Sequence, residues 1–218
     1  MLSSRKTRFT LTTVLLGLGI APVAKPASFS FTGTFFQDDN VRLFGFTLNA
    51  PGTATFDTWS YGGGTDAVGQ VIPSGGFATV LSLYSGSGNF IDDAVVSSCP
   101  PQNVDVSTGL CGDVFLQDNL ASGNYILALT EYFNGPNGNL SNGFLEQGQG
   151  NFTGPAFCIG KTGPFYDPGC NQRNGNFEVD IIGASNAAAI PEPSTFLLIG
   201  SGILAVERIR RHAKNRTS

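Results

Sequence analysis

Two pairs of adjacent acids are the side chains best suited to chemistry in this 218-residue sequence. Asp38 and Asp39 precede Asn40, and Asp92 and Asp93 lie in a second polar stretch. Carboxylate and amide oxygens from turns are the ligands that calcium takes in proteins, so these five residues are the predicted calcium ligands. The alternative is that they are solvated turn residues whose side chains accept hydrogen bonds from the backbone.

The histidine that would activate a serine or cysteine nucleophile is missing from the body of the sequence. The only histidine, His212, lies close to the C-terminus, and no G-x-S-x-G motif occurs, so neither a Ser-His nor a Cys-His pair is predicted. Paired carboxylates can hydrolyse glycosides, but neighbouring residues of a strand point to opposite faces of a sheet. We therefore expect a protein that is not an enzyme and needs no cofactor beyond calcium, with glycoside hydrolysis as the less favoured alternative.

Two aromatic residues precede a glycine-rich loop at 61–76. The rings of Trp59 and Tyr61 have the size and polarity to stack on a sugar ring. Aromatic residues at strand ends are also commonly half-buried for purely structural reasons. These two residues make carbohydrate binding the alternative function of the body, with an extracellular polysaccharide as its partner.

The amino-terminal residues have the layout of a secretory signal peptide. Basic residues up to Arg8 precede an apolar run at 9–20, and small residues follow it. The run is shorter than the ~20 apolar residues of a permanent membrane helix. We predict that residues 1–27 are a signal peptide, with the mature chain starting between Pro22 and Ser28.

The last thirty residues combine a short motif, an apolar run and a basic end. Pro191, Glu192 and Pro193 precede an almost wholly apolar stretch at 196–206, and basic residues continue to Arg216. Such a short apolar stretch is expected to stall in a membrane as a short transmembrane helix, with its basic end cytoplasmic. Residues 187–218 resemble the PEP-CTERM sorting domain of bacterial exported proteins. The resemblance implies use of the export machinery, an inner-membrane intermediate, processing near Pro-Glu-Pro by an exosortase (a membrane protease-transpeptidase) and a final place at the cell surface or outside the cell.

Four cysteines in an exported chain predict two disulfides. Cys99 and Cys111 are twelve residues apart, as are Cys158 and Cys170, and each pair brackets a turn-rich segment. Because a short loop closes at low entropic cost, we favour these two local bonds among the three connectivities. A zinc site is the competing idea, but the sequence has no C-x-x-C motif and no histidine in the body.

The body between the two predicted targeting segments is strongly acidic. Residues 28–186 hold fourteen acids and only three bases, Arg42, Lys161 and Arg173, for a net charge of −11. Such a surface repels a phosphate backbone and lacks the basic stripe that nucleic-acid binding requires. Nucleic acid is therefore excluded as a partner.

Alternation of apolar and polar residues indicates an all-β body. Phe29 and Phe31 share one face of the first predicted strand, and Tyr125, Leu127 and Leu129 share one face of a later strand. Turn residues separate eight predicted strands at 28–35, 41–48, 53–60, 79–84, 90–96, 113–116, 124–132 and 177–182. This pattern predicts that residues 28–186 form one β-sandwich of the jelly-roll type.

The body also resembles the bacterial pre-peptidase C-terminal module, a small β-sandwich. The resemblance covers 33–46, 81–88 and 121–129 and is carried by an acidic first turn, a Leu-x-Leu-Tyr strand and a late Gly-x-Tyr strand, here Asp38, Asp39, Asn40, Leu81, Leu83, Tyr84, Gly123, Asn124 and Tyr125. It implies the same sandwich architecture. Both cysteine loops depart from the compact form of that module.

Overall fold

The computed structural model describes residues 27–95 and 99–191 of the chain. The predicted signal peptide up to residue 26, Glu192, Pro193 and the apolar C-terminal stretch lie outside the described residues. Within the described ranges, no helix is long and apolar enough to cross a membrane.

The body is built almost entirely from strands, as predicted. The strands are β1 Ala27–Thr34, β2 Arg42–Leu48, β3 Gly52–Thr58, β4 Gly64–Thr65, β5 Val71–Ile72, β6 Thr79–Ser85, β7 Phe90–Ala94, β8 Phe115–Leu120, β9 Gly123–Glu131, β10 Asn176–Ala184 and β11 Asn186–Ile190. A short helix, α1, spans Thr153–Phe157, and one 3-10 turn spans Leu140–Asn142. Each of the eight predicted strands is present, which confirms the all-β prediction.

Two antiparallel sheets contain the long strands. One has the order β1-β10-β3-β8 and the other the order β11-β2-β9-β6-β7, while β4 and β5 form a separate small hairpin. If β4, β5 and β11 are left out and the other eight strands are numbered 1 to 8 along the chain, the first sheet has the order 1-8-3-6 and the second the order 2-7-4-5. This is the strand order of a jelly roll, formed by two Greek keys that wrap around one core.

The core lies between the two sheets, where the alternating apolar residues meet. Phe44, Phe46 and Leu48 of β2 are buried, as the period-two pattern requires. Across the core, the ring of Phe46 lies 5.2 Å from that of Phe56 on β3. Val179 of β10 is also fully buried in the same cluster. The inward-facing side chains of both sheets therefore form one continuous core.

Besides the 3-10 turn, the sequence pattern missed three short elements. The β4–β5 hairpin lies inside the predicted glycine loop, and α1 lies in the long excursion between β9 and β10. The third is β11, which pairs with β2. The second sheet therefore extends past the predicted domain boundary at residue 186 and includes the first residues of the predicted tail.

Both predicted disulfides are confirmed. Cys99 is bonded to Cys111 in the connection between β7 and β8. Cys158 is bonded to Cys170 in the excursion between β9 and β10. Each bond closes a local loop, so the two longest connections of the body are covalently constrained.

The aromatic core gives a first testable prediction. Phe56→Ala should lower the free energy of unfolding by about 3–5 kcal/mol, because the fully buried ring would be replaced by a cavity. Phe36→Ala is the matched control, since its ring is 87% exposed and the change should be within about 0.5 kcal/mol. Denaturant unfolding of both variants measures the difference. Equal losses would contradict the assignment of Phe56 to the core.

Candidate functional site

The first predicted calcium ligand, Asp38, is a buried anchor for the excursion between β9 and β10. Its carboxylate accepts hydrogen bonds from the backbone N–H groups of Phe152 (3.1 Å), Thr153 (2.8 Å) and Phe165 (3.4 Å). The hydroxyl of Thr153 donates a further bond to it. Protein donors therefore surround the Asp38 carboxylate.

Asp39 and Asn40 also bind the backbone. The Oδ2 atom of Asp39 accepts hydrogen bonds from the N–H groups of Gly148 (3.0 Å) and Gly150 (2.9 Å). The Oδ1 atom of Asn40 accepts hydrogen bonds from the N–H groups of Phe36 (3.0 Å) and Gln37 (3.1 Å), which closes the turn between β1 and β2. This turn therefore acts as the attachment point of distant loops.

The second acidic pair lies on the edge strand β7. Asp92 pairs with Leu83 and Asp93 with Ser82 of β6, so the two side chains point to opposite faces of the sheet. Burial, with the adjacent Asp92 charge as a lesser cause, raises the pKa of Asp93. Among the described residues, no three Asp, Glu, His or Cys side chains form a group that could hold a metal ion. Calcium binding stays a prediction.

Tyr61, one of the two predicted sugar-stacking residues, is buried in the structure. The residue is only 1% exposed, and the guanidinium carbon of Arg173 lies 4.0 Å from the centre of its ring. Gly112 packs so closely against the ring that a Cβ atom there would lie 2.2 Å from Tyr61 Cγ. The hydroxyl donates a 2.5 Å hydrogen bond to Asp167. Because both loops with disulfides fold over Tyr61, no ring face is open to a sugar.

Trp59 is half-buried and is also engaged in the fold. Its indole N–H donates a 3.2 Å hydrogen bond to Asp180 Oδ2. Gly64 lies against the ring, and a Cβ atom at that position would be 2.4 Å from it. The predicted pair of stacking rings is therefore not formed.

Arg173 forms a clamp that the sequence reading missed. It donates hydrogen bonds to the carbonyl oxygens of Tyr61 (2.7 Å) and Gly76 (3.0 Å), and it makes a 2.9 Å ion pair with Asp105. Burial by itself would raise the pKa of Asp105, but hydrogen bonds from Arg173 and Ser107 outweigh it and hold the pKa well below its usual range. The signal for this clamp was the scarcity of bases, since each of three bases among fourteen acids has many candidate partners.

A second unpredicted feature is a cluster of four buried acids on the outer face of the first sheet. We call it the acid cluster; its members are Asp57, Asp66, Glu178 and Asp180. The loop that carries β4 and β5 covers it, and the backbone N–H of Ala67 donates a 2.8 Å hydrogen bond to Asp180. Gln102, from the first disulfide loop, donates a 2.9 Å hydrogen bond to Asp57. These loops therefore shield the polar outer face of the first sheet from solvent.

Glu178 is the member of the acid cluster with no donor. It is fully buried, and both of its carboxyl oxygens lack a hydrogen-bond partner. Burial, and then the adjacent Asp180, raise the pKa of Glu178 to about 10. Glu178 is therefore a neutral carboxylic acid at pH 7. A proton held on a buried acid can take part in acid–base chemistry, but Glu178 does not reach the surface.

A partly exposed aromatic cluster lies elsewhere, at the end of β9. The rings of Tyr132, Phe133 and Phe157 pack together, with centroids 4.6 Å apart for Tyr132 and Phe133, 5.2 Å for Phe133 and Phe157, and 6.1 Å for Tyr132 and Phe157. Phe133 is 49% exposed and has a φ of +75°, a conformation that costs energy for a residue with a side chain. No motif signalled this surface, because Phe133 is placed by a turn and not by a strand.

Phe133 forms part of a groove beside the edge strand β7. We call it the aromatic groove; it has a volume of about 340 Å³ and is lined by Phe90, Asp93, Val95, Phe133, Pro136 and Leu145. Its walls are apolar and Asp93 is the charged group on its rim. The groove can bind the apolar face of a ligand.

Comparison with known protein families identifies the C-terminal segment. The PEP-CTERM protein-sorting motif matches residues 189–211, which include Pro191, Glu192 and Pro193. The match confirms the predicted sorting motif and supports exosortase-dependent sorting of an exported protein to the cell envelope. It does not extend to the body, so the resemblance to the pre-peptidase module stays a prediction. No curated protein matches the chain.

The acid cluster predicts an unusual dependence of stability on pH. An unfolded glutamate has a pKa near 4.5, and the folded value for Glu178 is about 10. The stability that depends on the bound proton is therefore complete below pH about 4.5 and is lost as pH rises towards 10. Glu178→Gln should match the wild type near pH 4 and exceed it at higher pH, by at most about 1.4 kcal/mol per pH unit. Denaturant unfolding from pH 4 to pH 9 measures the divergence.

Glu146→Gln is the matched control for this series. Glu146 is only partly buried, so Glu146→Gln makes the same chemical substitution at a more hydrated position. Its curve should stay close to that of the wild type. Parallel curves for Glu178→Gln and the wild type would show that Glu178 is ionised in the folded protein.

Proposed function

We propose that this chain is a non-catalytic exported protein, delivered to the cell envelope or extracellular polymer matrix through exosortase processing of its C-terminal tail. The observation that carries the proposal is the match to the sorting motif, which begins at Ala189 at the edge of the sandwich. The last described strand, β11, ends two residues into the sorting signal. The sandwich is then the cargo, and the tail is its delivery signal.

The positions of the acids support a structural role for the cargo. Asp38 and Asp39 bind loop backbones, and the Glu178–Asp180 pair is closed to substrate. Two disulfides hold the longest connections, which suits a protein that functions outside the cell. The net charge of −11 keeps such a domain soluble in an extracellular matrix.

A second candidate function is binding of a neutral polysaccharide in the aromatic groove. Its support is the exposed ring of Phe133, whose backbone has a positive φ and whose ring packs with those of Tyr132 and Phe157. Apolar ring faces stack on the C–H face of a sugar, and the acidic body disfavours anionic polymers. The groove takes the place of the Trp59–Tyr61 pair as the candidate sugar site.

The sorting proposal predicts a precursor and a product. In cells that contain an exosortase, the full chain should appear first in the inner membrane, and the body should appear later outside it without the 196–218 segment. Replacing Pro191, Glu192 and Pro193 by alanine should trap the full chain in the membrane, because the enzyme loses its recognition motif. Mass spectrometry of the two fractions provides the measurement.

A control for that triple variant replaces the same residue types in the body. Pro51→Ala, Glu146→Ala and Pro168→Ala together should leave processing at the wild-type rate, since these positions lie far along the chain from the motif. Released wild-type protein that retains Ser218 would refute exosortase processing.

The second candidate predicts binding that depends on one ring. The processed protein, screened against an array of neutral polysaccharides, should bind one glycan, and Phe133→Ala should weaken that binding at least tenfold, which is about 1.4 kcal/mol. The loss of a stacking face is the physical reason. Phe36→Ala removes another exposed ring outside the groove and should bind as the wild type does. Absence of binding to every glycan of the array would rule out this second candidate, and the structural role would remain as the proposed function.

A further inference from the structure

The last strand of the body, β11, is attached to the sandwich along one side only. It is an edge strand whose five residues pair antiparallel with β2, from Asn186 opposite Thr47 to Ile190 opposite Leu43. None of its residues is fully buried. Its other side carries no hydrogen-bonded strand in the described part of the sheet.

The side chains of β11 contribute little packing. Three of the five residues are alanines, and Ala187 is the one that packs against the core. Ile190 lies over Gly45 of β2, where there is no side chain to interlock with it. Burial of a single methyl group stabilises a fold only weakly. Edge elements with few apolar contacts open at a small fraction of the global unfolding free energy.

The sorting motif and β11 overlap. The match begins at Ala189, so the motif shares Ala189 and Ile190 with the strand. In the sheet these two residues pair with Phe44 and Leu43. The backbone groups of these two residues that face β2 are occupied while the strand is paired, so an enzyme would reach only the open edge of β11. An enzyme that encloses the extended chain on both sides needs β11 to leave β2 first.

Chain length imposes the same conflict. Only residues 191–195 separate Ile190 from the apolar run that starts at Phe196. Five extended residues span at most roughly 17 Å, so a sandwich with β11 in place is held close to the membrane surface. Release of the five residues of β11 would add about the same length again. The additional chain gives a membrane enzyme room to reach the motif.

We propose that β11 is a detachable strand that leaves β2 for exosortase processing and pairs with it again in the mature protein. The proposal rests on the proposed function, because it concerns the processing step. It identifies the β2–β11 ladder as the element that controls access to the sorting motif. Gly45 lowers the cost of detachment, because Ile190 leaves no interlocked side chain behind.

A disulfide between β2 and β11 tests the proposal in the full chain. Gly45 and Ala188 are direct partners, Ala188 is exposed, and a Cβ atom at Gly45 would meet only the flexible end of Ile190. The double variant Gly45→Cys, Ala188→Cys should lose its tail at least tenfold more slowly than the wild type. Treatment of isolated membranes with a reductant should restore the wild-type rate. Quantitative mass spectrometry of the tail gives the rates, and non-reducing peptide mapping verifies the bond.

The control carries the same two new cysteines on another strand pair. Thr47 and Asn124 face each other across β2 and β9, and their side chains are hydrogen-bonded at the surface. Thr47→Cys, Asn124→Cys staples those strands and leaves β11 free, so its tail should be lost at the wild-type rate with or without reductant.

The outcomes separate this inference from the proposed function. If the wild type and the control are processed and the verified β2–β11 crosslink is processed equally fast, β11 does not have to detach and the inference is overturned. A block that persists after reduction would also overturn it, since the cause would then be misfolding. If the wild type itself keeps its tail, the proposed function fails.

Discussion

The structure depends on how it accommodates buried carboxyl groups. Nine acids are buried in the described residues, namely Asp38, Asp57, Asp66, Asp105, Asp113, Asp167, Asp180, Glu131 and Glu178. Arg173 is the base that forms a buried ion pair with one of them. An unpaired buried charge is costly, so a buried acid needs an ion pair, hydrogen bonds or a retained proton. This requirement explains why the long loops lie where they do.

Backbone N–H groups supply most of the donors. Asp113 accepts hydrogen bonds from the consecutive N–H groups of Ser60 (2.6 Å), Tyr61 (2.9 Å) and Gly62 (2.7 Å), where the chain leaves β3. Burial still raises the pKa of Asp113 to about 6, which shows how strongly its surroundings exclude water. Glu131 receives less help; burial, followed by the charges of Asp38 and Asp167, raises its pKa well above the usual value. The acids thus tie glycine-rich loops to the sandwich where apolar side chains are scarce.

Local patterns in the sequence predicted the sandwich because alternation reports directly on which side of a strand faces the core. The sorting motif was also predictable, since it is a linear signal that needs no partner in space. The hydrogen-bond partners of Asp38 and Tyr61 could not be predicted, because these partners, Thr153 and Asp167, lie more than a hundred residues further along the chain. Strand β11 was missed because three alanines next to a proline motif have the composition of a linker, and only pairing with β2 makes them a strand. The aromatic groove needs a turn, an edge strand and a loop together, which no single stretch of sequence contains.

Strand β11 also fixes where the two ends of the described body lie. At the start of β1, Ala27 pairs with Ala184, next to the point where β11 begins, and β11 then runs back along β2 to Ile190. Its five residues cover about 17 Å. The two termini of the folded body therefore emerge at different ends of the sandwich. A chain fixed to a surface through its C-terminal end would display its N-terminal end outward, so that neighbouring copies in a layer all share one orientation.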